Sequence, residues 1–186
     1  MRKIIFITLL TLFTFSAFAQ TEVPNFDFTL PGIDGNKHSL SDHKDAKAVV
    51  VLFIATRCPI SNGFNARMVE LAAQYQEQGV VFLGINSNKT EDMEEVKKHA
   101  KENGFQFVVL KDDKNKVADA YQAKVTPEVF VFDGSLTLKY HGRIDDVAKP
   151  EERKSEDLKT ALDELLSGKP VSSPTTKAFG CTIKRI

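Results

Sequence analysis

The feature that most constrains the fold is the run AKAVVVLFIAT at residues 46–56. A run of this length that is apolar on both faces predicts a strand in the middle of a sheet covered on both sides. Cys58 follows the run, and Pro59 comes next, a residue favoured at the first position of a helix. The sequence therefore places a cysteine between a buried strand and a helix, where the carboxyl end of a parallel strand meets the open edge of the sheet.

Strand and helix patterns alternate along the rest of the chain. Strand patterns lie at residues 80–86, 105–112, 127–133 and 136–142, and helical patterns at residues 59–78, 90–104, 114–123 and 155–168. A turn-rich β arm precedes them, and a tail rich in Pro, Ser and Thr follows. This order predicts an α/β fold in which helices flank a central mixed β-sheet, with an N-terminal β arm and an irregular C-terminal tail.

The first 19 residues have the pattern of a signal peptide. A basic start is followed by an apolar run at residues 4–19, which ends in Ala-Phe-Ala and predicts cleavage after Ala19. The run is shorter than the roughly 20 apolar residues that a membrane-spanning helix needs. We therefore expect a signal peptide at 1–19, one domain at 20–167 and a tail at 168–186. The protein should be exported, periplasmic or secreted, with no membrane span after cleavage.

Cys58 stands where a thiolate would be stabilised. Unpaired backbone N–H groups and the positive end of the helix dipole lower the pKa of a thiol at a helix start. The adjacent Arg57 would add a positive charge if its side chain points toward the sulfur. The alternative is that Cys58 is a small buried apolar residue. Ser61 occupies the position where a local dithiol would have its second cysteine.

The strand–Cys–Pro–helix unit resembles the active site of the thioredoxin-like superfamily. The arm at residues 23–42 resembles its redoxin branch, which holds AhpC/TSA-type peroxiredoxins and TlpA-like thiol–disulfide oxidoreductases. VTPEVFVFD at residues 125–133 resembles the superfamily's Thr-Pro loop. The resemblance implies a thioredoxin-like fold over residues 23–166. It also implies a cis Pro127 facing the active cysteine, and backbone contacts from Thr126 to a bound thiol or peptide.

The chain departs from both patterns of that branch. The Cys-x-x-Cys motif is reduced to Cys58-Pro59-Ile60-Ser61, and the peroxiredoxin pattern P-x-x-x-T-x-x-C is not met, because Thr56 stands one place late. Arg143 is a candidate for the positive charge of peroxide chemistry, or else a surface ion-pair partner. The C-terminal block resembles a group of exported redoxin-domain proteins that pair a Cys-Pro-x-Ser site with a C-terminal Gly-Cys.

Cys181, the second of only two cysteines, lies in this tail. It is predicted to resolve an intermediate formed on Cys58, because a distant thiol can return at small entropic cost. A permanent disulfide, which for so long a loop would stabilise the fold by about 4–5 kcal/mol, is the first alternative. Pairing with a cysteine of another chain is the second.

No cofactor or metal is expected. The four histidines show no ligand spacing, and Asn62 stands where a copper carrier of this fold would have its second cysteine. A site made by Cys58, Cys181 and His141 is a remote alternative. The chain has 25 basic and 25 acidic side chains, a balance that indicates neither a nucleic acid nor an anionic membrane as partner.

The sequence thus predicts an exported thiol oxidoreductase in which Cys58 is the nucleophile and Cys181 resolves. Its partners would be a protein disulfide or a peroxide, together with a thiol reductant. Disulfide exchange is favoured over peroxide reduction because the peroxide motif is incomplete. A non-catalytic binding domain with a structural Cys58–Cys181 disulfide is the alternative of a different class.

Overall fold

A computed structural model describes residues 26–186, so the predicted signal peptide and its cleavage after Ala19 lie outside the described residues. The strands are β1 (Thr29–Pro31), β2 (Lys37–Ser39), β3 (Ala48–Ile54), β4 (Val80–Asn86), β5 (Val108–Lys111), β6 (Val125–Thr126), β7 (Glu128–Asp133), β8 (Leu138–Gly142) and β9 (Cys181–Thr182). The α-helices are α1 (Pro59–Gly63), α2 (Asn65–Gln76), α3 (Met93–Glu102), α4 (Lys116–Ala120) and α5 (Asp157–Leu166).

The central sheet has five strands in the order β5-β4-β3-β7-β8. β3 pairs in parallel with β4, and β4 with β5, whereas β7 is antiparallel to both β3 and β8. Every residue of β3 is buried. The predicted mixed sheet with a buried central strand is therefore confirmed.

Helices cover one face of the sheet, and the N-terminal arm helps to cover the other. Alternate residues of β3 point to opposite faces: Val50 and Leu52 pack in a cluster with α2, α3 and α5. Val51 and Phe53 pack in a second cluster, to which Phe28 of the arm and α4 contribute. The apolar run that is continuous in sequence is thus shared between two cores.

Three helices start later than their sequence patterns predict, and of these the helix predicted from residue 114 begins at Lys116. The helix predicted from residue 90 begins at Met93, because the Asp92 side chain accepts a hydrogen bond from the Glu95 N–H and caps it. The helix predicted from residue 155 begins at Asp157. Across residues 26–186, no helix is long and apolar enough to cross a bilayer.

The C-terminal tail is more ordered than an irregular segment. Its two-residue strand β9 pairs antiparallel with β6, which brings Cys181 opposite Thr126. Before that strand, Thr176 donates a backbone hydrogen bond to the His141 carbonyl, and after it Ile183 donates one to the Lys124 carbonyl. The tail is therefore bound to the domain on both sides of Cys181.

Candidate active site

The two cysteines form an intrachain disulfide. Their Cα atoms are 5.8 Å apart, well within the range that a disulfide requires. Cys58 is the N-cap of α1, separated from the end of β3 by residues 55–57 and followed by Pro59 in the first helical turn. It is only 4% exposed, whereas Cys181 is partly exposed. The structure thus contains the intrachain pair.

Ser61 supports the Cys58 sulfur through its backbone. The Ser61 N–H donates to Cys58 Sγ over 3.3 Å, and the Ser61 hydroxyl accepts from the N–H of Ala55 over 3.2 Å. The side chain is fully buried. Ser61 therefore holds the strand end against α1 through its hydroxyl and supplies one donor to the sulfur through its backbone N–H.

The Thr126–Pro127 peptide bond is cis, as the resemblance implies. The Thr126 carbonyl oxygen lies 3.4 Å from Cys58 Sγ, so this loop forms the opposite wall of the site. The Thr126 hydroxyl is buried and has no hydrogen-bond partner among residues 26–186. Thr126 consequently presents its backbone carbonyl to the Cys58 sulfur and its strand edge to β9.

Glu128 holds the segment before the Thr126–Pro127 loop in place. Its carboxylate accepts hydrogen bonds from the N–H groups of Lys124 (2.7 Å) and Val125 (3.1 Å) and is bonded to the His141 ring (2.7 Å). Burial alone would raise the pKa of Glu128, but these hydrogen bonds outweigh it and hold the pKa below its usual value. An ionised carboxylate therefore orders the chain just before the cis proline.

Glu91 does the same for the segment before Cys58. This buried carboxylate accepts hydrogen bonds from the N–H groups of Thr56 (2.9 Å) and Arg57 (3.1 Å) and from the Asn86 side chain (2.6 Å). The sequence interpretation missed both Glu91 and Glu128. For Glu91 the available signal is its position just after β4, whose carboxyl end meets the same sheet edge as Cys58.

The side chains of Arg57 and Thr56 are both engaged by Glu95 on α3. Arg57 Nε lies 2.7 Å from Glu95 Oε1, and the Thr56 hydroxyl donates to the same oxygen over 2.6 Å. The guanidinium charge is thus paired with a carboxylate on α3. The positive charge that Arg57 would add near Cys58 is therefore offset by the Glu95 carboxylate in this geometry.

Arg143 also lies in an ion pair. Its Nε is 2.9 Å from Asp157 Oδ2, and its guanidinium contacts Ser155 at the start of α5. Arg143 does not line the cavity beside the disulfide. The structure therefore matches the ion-pair alternative for this residue rather than a position next to Cys58.

A cavity of about 270 Å³ opens beside the disulfide, lined by both cysteines, Glu91, Thr126 and Lys184 among others. A larger cavity of about 410 Å³ lies between the N-terminal arm and α4 and contains neither cysteine. Within the described part of the chain, no group of three His, Cys, Asp or Glu side chains is arranged to hold a metal. The chemistry available at the smaller cavity is that of the disulfide itself.

Comparison with known proteins shows which family and which relatives this chain resembles. A model of the AhpC/TSA family matches residues 19–141. The thiol-disulfide oxidoreductase ResA of Geobacillus thermodenitrificans (strain NG80-2) is 32% identical over 113 residues, which make up 61% of this chain and 63% of that protein. The chain thus spans less than two thirds of the length of the curated relatives it matches.

Solved structures agree with the fold. An uncharacterized conserved protein from Geobacillus kaustophilus is 38% identical, with a TM-score of 0.79 over 85% of this chain and 88% of that one. A thiol-disulfide oxidoreductase from Bacteroides fragilis NCTC 9343 is 21% identical, with a TM-score of 0.61 over 75% and 96% of the two chains, which is a likeness of fold. The predicted thioredoxin-like fold is confirmed, and because the family model covers more than half of the sequence, the chain belongs to the AhpC/TSA family.

Proposed function

We propose that the protein is an exported thiol–disulfide oxidoreductase in which Cys58 is the nucleophile and Cys181 resolves. The observation that carries the proposal is the Cys58–Cys181 disulfide at a helix start, beside an open cavity. The names of the curated relatives support the reaction class. Export rests on the signal-peptide pattern of residues 1–19, with a mature domain at 20–167 and the tail at 168–186.

In the first half of the cycle, the Cys58 thiolate attacks one sulfur of a substrate disulfide. The substrate S–S bond breaks, one thiolate leaves, and a mixed disulfide forms on Cys58. The Ser61 N–H and the start of α1 stabilise the attacking thiolate. Cys181 then attacks Cys58 Sγ, which releases the second substrate thiolate and leaves the internal disulfide. The substrate gains the two electrons that the dithiol loses.

In the second half, a thiol reductant reopens the internal disulfide. Cys58 is buried and Cys181 is partly exposed, so the incoming thiolate attacks Cys181 Sγ. Cys58 then leaves as the thiolate that the Ser61 N–H stabilises. A second reductant thiolate then attacks the reductant sulfur of this mixed disulfide. The two reductant molecules become joined by a disulfide, and Cys181 leaves as a free thiolate. The exposure of Cys181 and the stability of the Cys58 thiolate as a leaving group thus both favour attack of the reductant on Cys181.

A peroxide is the less supported substrate. The Thr56 hydroxyl donates to Glu95, and the Arg143 guanidinium is engaged by Asp157. Neither polar group is directed at the space beside Cys58, where a peroxide would have to be bound. The geometry therefore favours disulfide exchange, and peroxide reduction becomes an outcome of the test below.

Two serine variants test the proposal. Cys58→Ser should abolish turnover of a peptide disulfide, since the nucleophile is gone. Cys181→Ser should accumulate a mixed disulfide on Cys58, visible by mass spectrometry as the added mass of the peptide, because the resolving thiol is absent. The same variant exposed to hydrogen peroxide reports whether a sulfenic acid forms instead.

Each result has a consequence. A mixed disulfide supports the proposed exchange reaction, whereas a sulfenic acid without any mixed disulfide would reassign the protein as a peroxide reductase. If Cys181→Ser forms neither adduct, Cys58 is not a nucleophile toward these substrates. The hypothesis of a non-catalytic binding domain with a structural disulfide would then replace the hypothesis of an oxidoreductase.

A further inference from the structure

The tail occupies the strand edge next to the reactive sulfur. Cys181 pairs with Thr126 and Thr182 pairs with Val125, so β9 takes the backbone positions along β6. The Thr126 carbonyl of this edge is 3.4 Å from Cys58 Sγ. Cys58 is almost fully buried, and β9 lies along the strand edge beside its sulfur. A chain that brought its own cysteine to Cys58 along this edge would have to take the place of β9.

Contacts other than the disulfide hold the tail in this position. Downstream, the N–H of Lys184 donates to the Asn88 side chain over 2.8 Å, and Arg185 Nε lies 2.8 Å from Asp119 Oδ1. Ile183 is 3% exposed within the core cluster that contains Val51 and Phe53. Reduction of the disulfide removes none of these contacts, so β9 should remain docked in the dithiol state.

Gly180 allows the backbone of the tail to lie directly against the Thr126–Pro127 loop. A Cβ at position 180 would overlap the carbonyl oxygen of Thr126 and would lie 3.3 Å from the nitrogen of Pro127. The tail backbone at position 180 and the Thr126–Pro127 backbone lie too close together for a side chain to fit between them. Only glycine can therefore occupy position 180. An extended peptide in the same register therefore needs glycine immediately before its cysteine.

We propose that the segment around Cys181 is a tethered competitor for the Val125–Thr126 edge, which restricts rapid exchange to small disulfides. This inference rests on the proposed function. A small disulfide reaches Cys58 through the cavity of about 270 Å³ without moving the tail. A peptide that binds by adding a strand to β6 must first displace β9. The tail is thus both the source of the resolving thiol and the element that selects substrate size.

The test uses full-length protein that carries Cys181→Ser, so that each reaction stops at the mixed disulfide. Two substrates with the same coloured aromatic leaving thiol are compared, one built on cysteine alone and one on the tail sequence Ala-Phe-Gly-Cys-Thr-Ile-Lys. In each case the Cys58 thiolate displaces the aromatic thiolate and forms a disulfide with the cysteine. Release of the aromatic thiolate gives the second-order rate constant.

Gly180→Ala and Arg185→Ala loosen the tail in two independent ways, and Lys177→Ala, an exposed tail residue, is the matched control. With the tail intact, the peptide should react about tenfold more slowly than the small substrate, a factor equivalent to about 1.4 kcal/mol. Either loosening variant should restore most of that factor in the ratio of the two rates, and Arg185→Ala should do so without changing the rate of the small substrate. Lys177→Ala should leave both rates as they were.

Equal rates for the two substrates with the tail intact would overturn the inference, as would a ratio that neither variant changes. A peptide with alanine in place of its glycine should stay slow on every variant. If it reacts as fast as the glycine peptide, the register derived from Gly180 is wrong. Failure of the proposed function looks different, because Cys58 would then react with neither substrate faster than free cysteine does.

Discussion

Ser61 uses both of its hydrogen-bonding groups at the site, although it cannot serve as a second redox residue. Its N–H supports Cys58 Sγ, and its hydroxyl satisfies the buried N–H of Ala55. At the scale of single residues, the sequence was sufficient to locate Cys58, because the strand, Cys58 and Pro59 follow one another in the chain. Pro127 was identified by the resemblance of VTPEVFVFD to the Thr-Pro loop. Glu91 was not found, because its partners Thr56 and Arg57 lie more than thirty positions away and no local pattern records a long-range hydrogen bond.

We expect Ser61→Ala to lower the free energy of unfolding by about 1–3 kcal/mol, since the buried N–H of Ala55 loses its acceptor. Turnover of a peptide disulfide should persist, because the N–H of residue 61 still reaches Cys58. Urea unfolding and a turnover assay check the two halves of this prediction. Ser173→Ala, at an exposed tail position, should change the stability by less than about 0.5 kcal/mol. Loss of turnover at unchanged stability would instead assign the hydroxyl a direct role in exchange.

At the scale of elements, the short strand β6 is kept in place by a side chain rather than by a long ladder. Glu128 accepts hydrogen bonds from the N–H groups of Lys124 and Val125, and His141 bonds the same carboxylate. The long strands and helices were predictable because their apolar periodicity is extensive. β6 and β9 were not, because two residues are too few to show a period, and their pairing joins segments more than fifty residues apart.

The lowered pKa of Glu128 gives this element a defined pH dependence. A carboxylate whose pKa is lower in the folded state stabilises the fold above its unfolded pKa and loses that contribution as the pH falls through the folded value. Glu128→Gln should therefore lower the free energy of unfolding at neutral pH by about 1.5–3 kcal/mol, the usual size for hydrogen bonds to a charged group. The difference in the free energy of unfolding between Glu128→Gln and the wild type should become smaller below about pH 4.

Urea unfolding at neutral and at acidic pH measures this gap. The control is Glu152→Gln, which removes an exposed carboxylate paired with Lys149 and should cost less than about 1 kcal/mol. A gap for Glu128→Gln that stays constant across the pH range would mean that the ionised carboxylate does not stabilise the β6 loop.

At the scale of the whole molecule, the disulfide ties the last segment of the chain to the end of the central strand, across 123 positions of sequence. The sequence predicted the five-stranded sheet and the possible pairing of its two cysteines. It gave no basis for the docking of the tail, because that docking depends on contacts to β6, the loop after β4 and the region around α4 that exist only after folding. Whether the bond opens during function is the central question.

The reduction potential of the Cys58–Cys181 disulfide answers it most directly. The protein is equilibrated with thiol–disulfide buffers of graded potential, quenched by alkylation, and the oxidised fraction is read by mass spectrometry. A bond that cycles should lie between about −120 and −270 mV, the range of disulfide-exchanging proteins. A potential below about −300 mV, where structural disulfides lie, would mean that the bond resists the usual reductants and would contradict the enzymatic account.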